Sequence, residues 1–163
     1  MIIRNACQDD LPAIVAIYNS TIPSRMVTAD TSPVTVESKL TWFHEHEPAK
    51  RPIWVMESNN TIIGWLSFSP FYNRPAYNAT AELSIYIAEG YRGRGIGTAL
   101  LATAIAESPK LGITTLLGFV FAHNQPSIEL FTRMKFGRWG YLPGVASLDG
   151  IEKDLLILGL KII

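Results

Sequence analysis

The sequence predicts an α/β fold: a central twisted sheet, mixed in strand direction, flanked by helices. Three observations carry this. Apolar residues switch along the chain between the 3.6-residue stripe of amphipathic helices and the two-residue alternation of strands. Helical and extended patterns interleave from one end to the other, which is the order of layered α/β domains. The run Ile113 to Ala122 is apolar on both faces, as in a strand covered by helices on either side.

Each element has its own justification. Ile2-Ile3-Arg4 opens as a short strand. Asp9 is placed to cap the next helix, which tolerates Pro12 in its first turn and carries the stripe Leu11, Ile14, Val15, Tyr18. Ser20 to Ser32 is polar, is broken by Pro23 and reads as a loop. A second helix is expected over Val34 to His46, with Val36, Leu40 and Phe43 inward. Beyond Pro48 and Pro52, Ile53 to Glu57 and Thr61 to Ser69 form a hairpin about the Asn59-Asn60 turn. Pro70 to Asn78 is a loop. Thr80 to Ala88 alternates, with Leu83, Ile85 and Ile87 on one face and Glu82, Ser84 and Tyr86 on the other.

A glycine-rich stretch leads into a helix over about Thr98 to Glu107, closed by Pro109 and Gly112. After the apolar strand, Asn124 caps a helix from Gln125 to about Lys135. Phe136 to Tyr141 and Asp154 to Ile163 finish the sheet. No repeat or linker divides the chain, so one domain over residues 1–163 is expected.

Composition narrows the function. Apolar residues make up 48% and charged residues 17%, and Lys plus Arg balances Asp plus Glu at 14 each. That excludes a disordered chain and gives no global field toward nucleic acid or an anionic membrane. Cys7 is the only cysteine, no apolar run nears the roughly 20 residues of a membrane helix, and no secretory leader is visible. A cytoplasmic protein is the expectation. His44 and His46 fall on different sides of a helix and no H-E-x-x-H pattern exists, so no metal is expected and a solvated helix end is the reading there. Cys7 reads as a small buried apolar group, and Trp42, Trp54, Trp65 and Trp139 as core or interface residues.

The informative segment is Tyr91-Arg92-Gly93-Arg94-Gly95-Ile96-Gly97-Thr98, between a strand and a helix. Its glycines permit positive φ and close backbone approach, and the helix that follows offers unpaired N–H groups at the positive end of its dipole. Together these form a pyrophosphate cradle, to which Arg92 and Arg94 add charge. It is not a P-loop, which needs a Lys absent here, and it is not a dinucleotide fingerprint, because Thr98 stands where glycine is required.

Arg92, Gly95 and Gly97 instead match R-x-x-G-x-G, and in this setting the segment resembles the coenzyme A-binding motif of the GNAT N-acetyltransferase superfamily. The resemblance spans essentially the whole chain. Ile3-Arg4-Asn5-Ala6 with Asp9 to Ile14, Thr80-Ala81-Glu82-Leu83-Ser84-Ile85-Tyr86-Ile87, and Asn124-Gln125-Pro126-Ser127-Ile128 are similar to the phosphinothricin and methionine sulfoximine N-acetyltransferase branch. The resemblance implies an acetyl-CoA-dependent enzyme acting on the amine of a small amino-acid analogue, and a homodimer. It implies that the backbone of Ile85, Tyr86 and Ile87 binds the pantetheine arm and acetyl carbonyl, that the segment Gly93 to Thr98 holds the pyrophosphate, and that Asn124 lies near the thiol.

Glu82 is the expected general base. A free Glu ionises near pH ~4.3, so it needs burial or an ordered water to accept a proton from an alkylammonium; the relay is the favoured route. The tyrosine or histidine that related enzymes use as general acid is replaced by Phe131. The resemblance also places Arg74, Pro75, Ala76 and Tyr77 at the acceptor, with Arg74 set to pair with an acceptor carboxylate. Two other readings stay open: a GNAT enzyme with a protein N-terminus or polyamine as acceptor, and an acyl-CoA-binding module without turnover.

Overall fold

The computed structural model describes residues 1–162. Its elements run β1 (Ile2–Asn5), α1 (Leu11–Ser20), α2 (Val36–His44), β2 (Ile53–Ser58), β3 (Thr61–Pro70), β4 (Thr80–Ile87), α3 (Ile96–Glu107), β5 (Thr115–Phe121), α4 (Gln125–Arg133), β6 (Gly137–Leu148) and β7 (Ile151–Lys161). The strands form one seven-stranded sheet in the order β1-β2-β3-β4-β5-β7-β6. Neighbours are antiparallel except β4 and β5, which run parallel. A tight hairpin joins β2 to β3, and Asn59 and Asn60 take φ of 50° and 62°, which this kind of turn requires and asparagine tolerates.

Alternation along the strands divides the core in two. Trp54, Met56, Leu66, Phe68, Ala81 and Leu83 face α3 and pack on its Ile96, Leu100, Leu101 and Ala104. Val55 and Trp65 face the other way, against Leu11, Ile14 and Val15 of α1, with Leu40, Trp42 and Phe43 of α2 beside them. The Trp65 indole N–H donates to the Ile14 carbonyl (3.1 Å), so its one polar atom is satisfied inside the layer. Arg4 ties β1 to the start of α1 through paired bonds to Asp10 (2.7 and 2.9 Å), and to β2 through Glu57 (2.8 Å).

The order of elements is the one read from the sequence, with local corrections. Asp9 caps nothing: Asp10 holds the cap position, and its carboxylate accepts from Arg4 and from the Cys7 N–H (2.8 Å). Cys7 is exposed rather than buried. His46 is not a solvated end; its ring lies edge-on to Trp42, and Nδ1 bonds the Trp42 carbonyl (2.7 Å). α3 starts earlier than expected, because Gly95 in the left-handed region (φ 79°) is its cap. The largest difference is β6, which continues past Tyr141 to Leu148. Pro143-Gly144 reads as a strand end, but β6 is an edge strand, and an irregularity between Leu142 and Ala146 absorbs the proline. The expected end of β7 at Ile163 lies outside the described residues.

Candidate active site

The site begins where β4 and β5 part. They pair over Thr80–Leu83 and Thr115–Gly118 only. Beyond, β4 stays with β3 as far as Ile87, and β5 stays with β7 as far as Phe121. At the last shared position Gly118 leaves room for Phe131 of α4; a Cβ there would lie 2.8 Å from the ring. The Ala88 N–H donates to Ile63 on the β3 side (2.9 Å), while Ala79 accepts from Thr114 on the β5 side (2.9 Å). Alternation between them turns the Tyr86 N–H toward β3 and the N–H groups of Ile85 and Ile87 into the gap that β5 has left.

A cleft of about 440 Å³ opens at this gap, walled by Ile85–Ile87, Tyr91–Gly93, Gly95–Thr98 and the start of α4. The first ladder bond of α3 runs from the Ala99 N–H to the Gly95 carbonyl (3.0 Å). The amides of Ile96, Gly97 and Thr98 therefore have no intrahelical partner and stand at the positive end of the dipole. Gly93 (φ 74°) and Gly95 (φ 79°) take conformations that side chains disfavour, with open space where a Cβ would project. Gly97 serves differently: its Cβ would meet Leu130 at 3.1 Å, so it lets α3 approach α4. Asn124 is buried and caps α4 by accepting from the Ser127 N–H (3.3 Å).

On the opposite face of β4, Glu82, Ser84 and Tyr86 point toward the α1 and α2 layer. Glu82 is half-buried and, among the described residues, has no hydrogen-bond or ion-pair partner; burial holds its carboxyl above the usual carboxylate range. A second cavity, about 170 Å³, lies on this face between α1, α2 and strands β3 and β4. Tyr86 lines both spaces. Burial also pushes its hydroxyl well above the ordinary phenol value.

Comparison with known proteins agrees with this geometry. The Acetyltransferase (GNAT) family model matches residues 14–136. The chain belongs to the GNAT family. It is 53% identical over 160 residues to YwnH of Bacillus subtilis (strain 168), which carries the name of a phosphinothricin acetyltransferase, and covers 98% of each chain. It is 28% identical to an L-methionine sulfoximine/L-methionine sulfone acetyltransferase of Pseudomonas paraeruginosa, covering 98% of this chain and 94% of that one. The acetyltransferase yncA of Salmonella typhimurium, solved with its cofactor acetyl-CoA, superposes with a TM-score of 0.92 at 26% identity, over 99% of this chain and 94% of the other.

As a GNAT enzyme the protein uses acetyl-CoA, and the larger cleft fits that group: free amides and Arg92 at one end suit a pyrophosphate, and the open edge of β4 suits an extended amide-bearing arm. The residues expected at the cofactor gather here with one exception. Arg94 is off the cleft wall, its guanidinium 5.2 Å from the centre of the Tyr91 ring. Arg74 to Tyr77 lie outside both cavities, in a short turn. Tyr77 packs on Phe71 (5.6 Å between ring centres), and Phe71 reaches Phe119 of β5 (6.4 Å), on the Glu82 face.

Phe131 is buried over Gly118 and edge-on to Phe136 (4.9 Å), so it fills the core between α4 and β5 and donates nothing. Sequence reading missed the roof of the cleft, where Thr21, Ser24, Met26 and Val27 hang over it. That loop is bolted down by His123, whose Nε2 bonds the Arg25 carbonyl (2.9 Å), and by the Arg25–Asp149 ion pair (2.9 Å). Contacts separated by about a hundred residues leave no local pattern in the sequence.

Proposed function

We propose that the protein acetylates the amine of a small amino-acid-like acceptor of the phosphinothricin or methionine sulfone type. One observation carries this reading: a single strand, β4, presents free amides at its parted edge and an unpartnered, half-buried carboxylate on the face that meets a second cavity. The names of the relatives supply the acceptor class.

Bound acetyl-CoA supplies an acetyl group already activated as a thioester. Its pyrophosphate is gripped by the amides at the start of α3 and by Arg92, while the Ile85 and Ile87 amides orient the acetyl carbonyl and take up charge that develops on its oxygen. Glu82 withdraws the ammonium proton through an ordered water, its basicity strengthened by burial. Asn124, at the mouth of α4, offers its amide to the departing sulfur. Phe131 donates no proton, and the modest pKa of a thiol lets the thiolate leave unaided.

The same reading includes a homodimer acting in the cytoplasm. Trp139, Tyr141, Leu142 and Val145 on edge strand β6, with Ile151 on β7, are exposed apolar side chains along this edge of the sheet, which a second copy would cover.

A thiol-release assay with acetyl-CoA tests the proposal against phosphinothricin, methionine sulfone, a polyamine and an N-terminal peptide. Turnover of the amino-acid analogues supports it. Turnover of polyamine or peptide alone replaces the acceptor, and stabilisation by acetyl-CoA without any acetylated product replaces the enzyme with a binding module.

A further inference from the structure

The cavity of about 170 Å³ between α1, α2 and the sheet has a chemistry of its own. One wall is aromatic: Tyr18, Trp42, Trp65 and Tyr86. The other carries three serine hydroxyls, from Ser67 and Ser69 on β3 and Ser84 on β4. Ser67 and Ser84 face each other across the strand pair, and Ser69 faces Glu82, so all of them share the Glu82 face. Ser84 lies within hydrogen-bond reach of the Tyr86 hydroxyl, and the side chains of Ser67, almost wholly buried, and Ser69 are left to the cavity.

Lys39 closes the cavity from α2. Its ammonium lies 5.6 Å from the centre of the Tyr18 ring and 5.9 Å from that of Trp42, and among the described residues it forms no ion pair. An aromatic box of this kind would ordinarily receive a cation from outside. Here the chain supplies its own, and a second cation would be repelled. Two carboxylates stand on that side: Glu82, opposite Ser69, and Asp30, which is engaged as acceptor of the Tyr18 hydroxyl. Beyond Glu82, what remains on offer is a set of donors: three N–H bonds of one ammonium and the hydroxyls of Ser67 and Ser69, with that of Ser84 shared with Tyr86. At about 30 Å³ per water-sized group, the space holds about six such groups.

We infer that this cavity is a subsite for an anionic, oxygen-rich end of the acceptor, such as a phosphinate or carboxylate, held by Lys39 with Ser67, Ser69 and Ser84, while the amine stays beside Glu82. The inference rests on the acceptor reading above and adds the residues that select for charge. Ser84 and Tyr86 connect the two regions, since both line the cavity on the strand that carries Glu82.

The test compares L-phosphinothricin, whose far end is anionic, with L-methionine sulfone, which is similar in length but neutral there. In Lys39→Met the ratio of kcat/KM for phosphinothricin over methionine sulfone falls about 10- to 100-fold, the effect of losing one charged hydrogen bond. In Lys39→Arg the ratio returns to within about threefold of wild type, because charge and donors are restored. An unchanged ratio in Lys39→Met overturns the subsite, as does wild-type turnover of methionine sulfone with none of phosphinothricin; both leave the acceptor reading standing. Wild-type protein inactive on both compounds overturns the acceptor reading itself, and the subsite with it.

Discussion

Leu83 and Gly118 are the last residues at which β4 and β5 face each other, and the ring of Phe131 rests on the bare Gly118 backbone at that point. The parting of the strands and the seating of α4 are therefore one packing arrangement. In Gly118→Val the side chain enters space held by a buried ring. The expected result is destabilisation by about 1–3 kcal/mol in urea unfolding, together with weaker acetyl-CoA binding as the start of α4 shifts. A variant with wild-type stability contradicts the arrangement.

Gly95 caps α3 with φ of 79° and has nothing near its missing side chain. Valine fits the space but not the backbone conformation, which costs a β-branched residue at least about 1–2 kcal/mol. Relaxing that strain turns the free amides of Ile96 to Thr98 away from the cleft. Calorimetry should show acetyl-CoA affinity lowered about 10-fold or more in Gly95→Val. Gly97→Ala, which touches only Leu130, should lose less.

Glu82→Gln keeps the shape of the site and removes the proposed base. Turnover is expected to fall about 100-fold while the affinity for acetyl-CoA holds. Burial raises the carboxyl above its ordinary range, so the base is ionised only at higher pH than a free glutamate. The acid limb of kcat in the wild type should accordingly be centred above about pH 4.3 and should vanish in the variant. An acid limb that survives the substitution contradicts the role.

The Arg4–Asp10 pair gives a stability prediction with a definite sign. Hydrogen bonds from Arg4 are the main cause that brings the Asp10 carboxyl down to about 2. A group whose pKa is depressed by folding stabilises the fold above its unfolded pKa, about 3.9, and loses that contribution as pH falls through its folded value. Arg4→Met should cost about 1–3 kcal/mol at pH 7. The gap from wild type should narrow between about pH 4 and about 2, as followed by urea unfolding.

The exposed apolar side chains along the β6 edge and at Ile151 of β7 carry the dimer proposal. Val145→Glu and Ile151→Glu place charges on two exposed positions that the fold itself does not need. Sedimentation velocity should show dimers for wild type and monomers for either variant. A monomeric wild type removes the proposal.

Much of this was legible in the sequence because each signal was local. Alternation along Thr80 to Ile87 separated the face of Glu82 from that of Leu83, and the glycines at 93 and 95 marked backbone that only glycine enters easily. The parting of the strands was expected only by resemblance, since it depends on Gly118 meeting Phe131 from another element. The serine-lined cavity was invisible for the same reason: Lys39, Ser67 and Ser84 share no pattern until β3, β4 and α2 are stacked. β6 was cut short because Pro143 and Gly144 carry a turn signal that an edge strand can ignore.

The most direct test of the central claim is an amide-resolved titration with coenzyme A, following exchange or chemical shift at Ile85, Ile87, Ile96, Gly97 and Thr98. Protection of these five amides together, with the Tyr86 amide already protected by β3 before ligand is added, is the predicted result. Saturable binding that leaves all five unchanged would contradict the account.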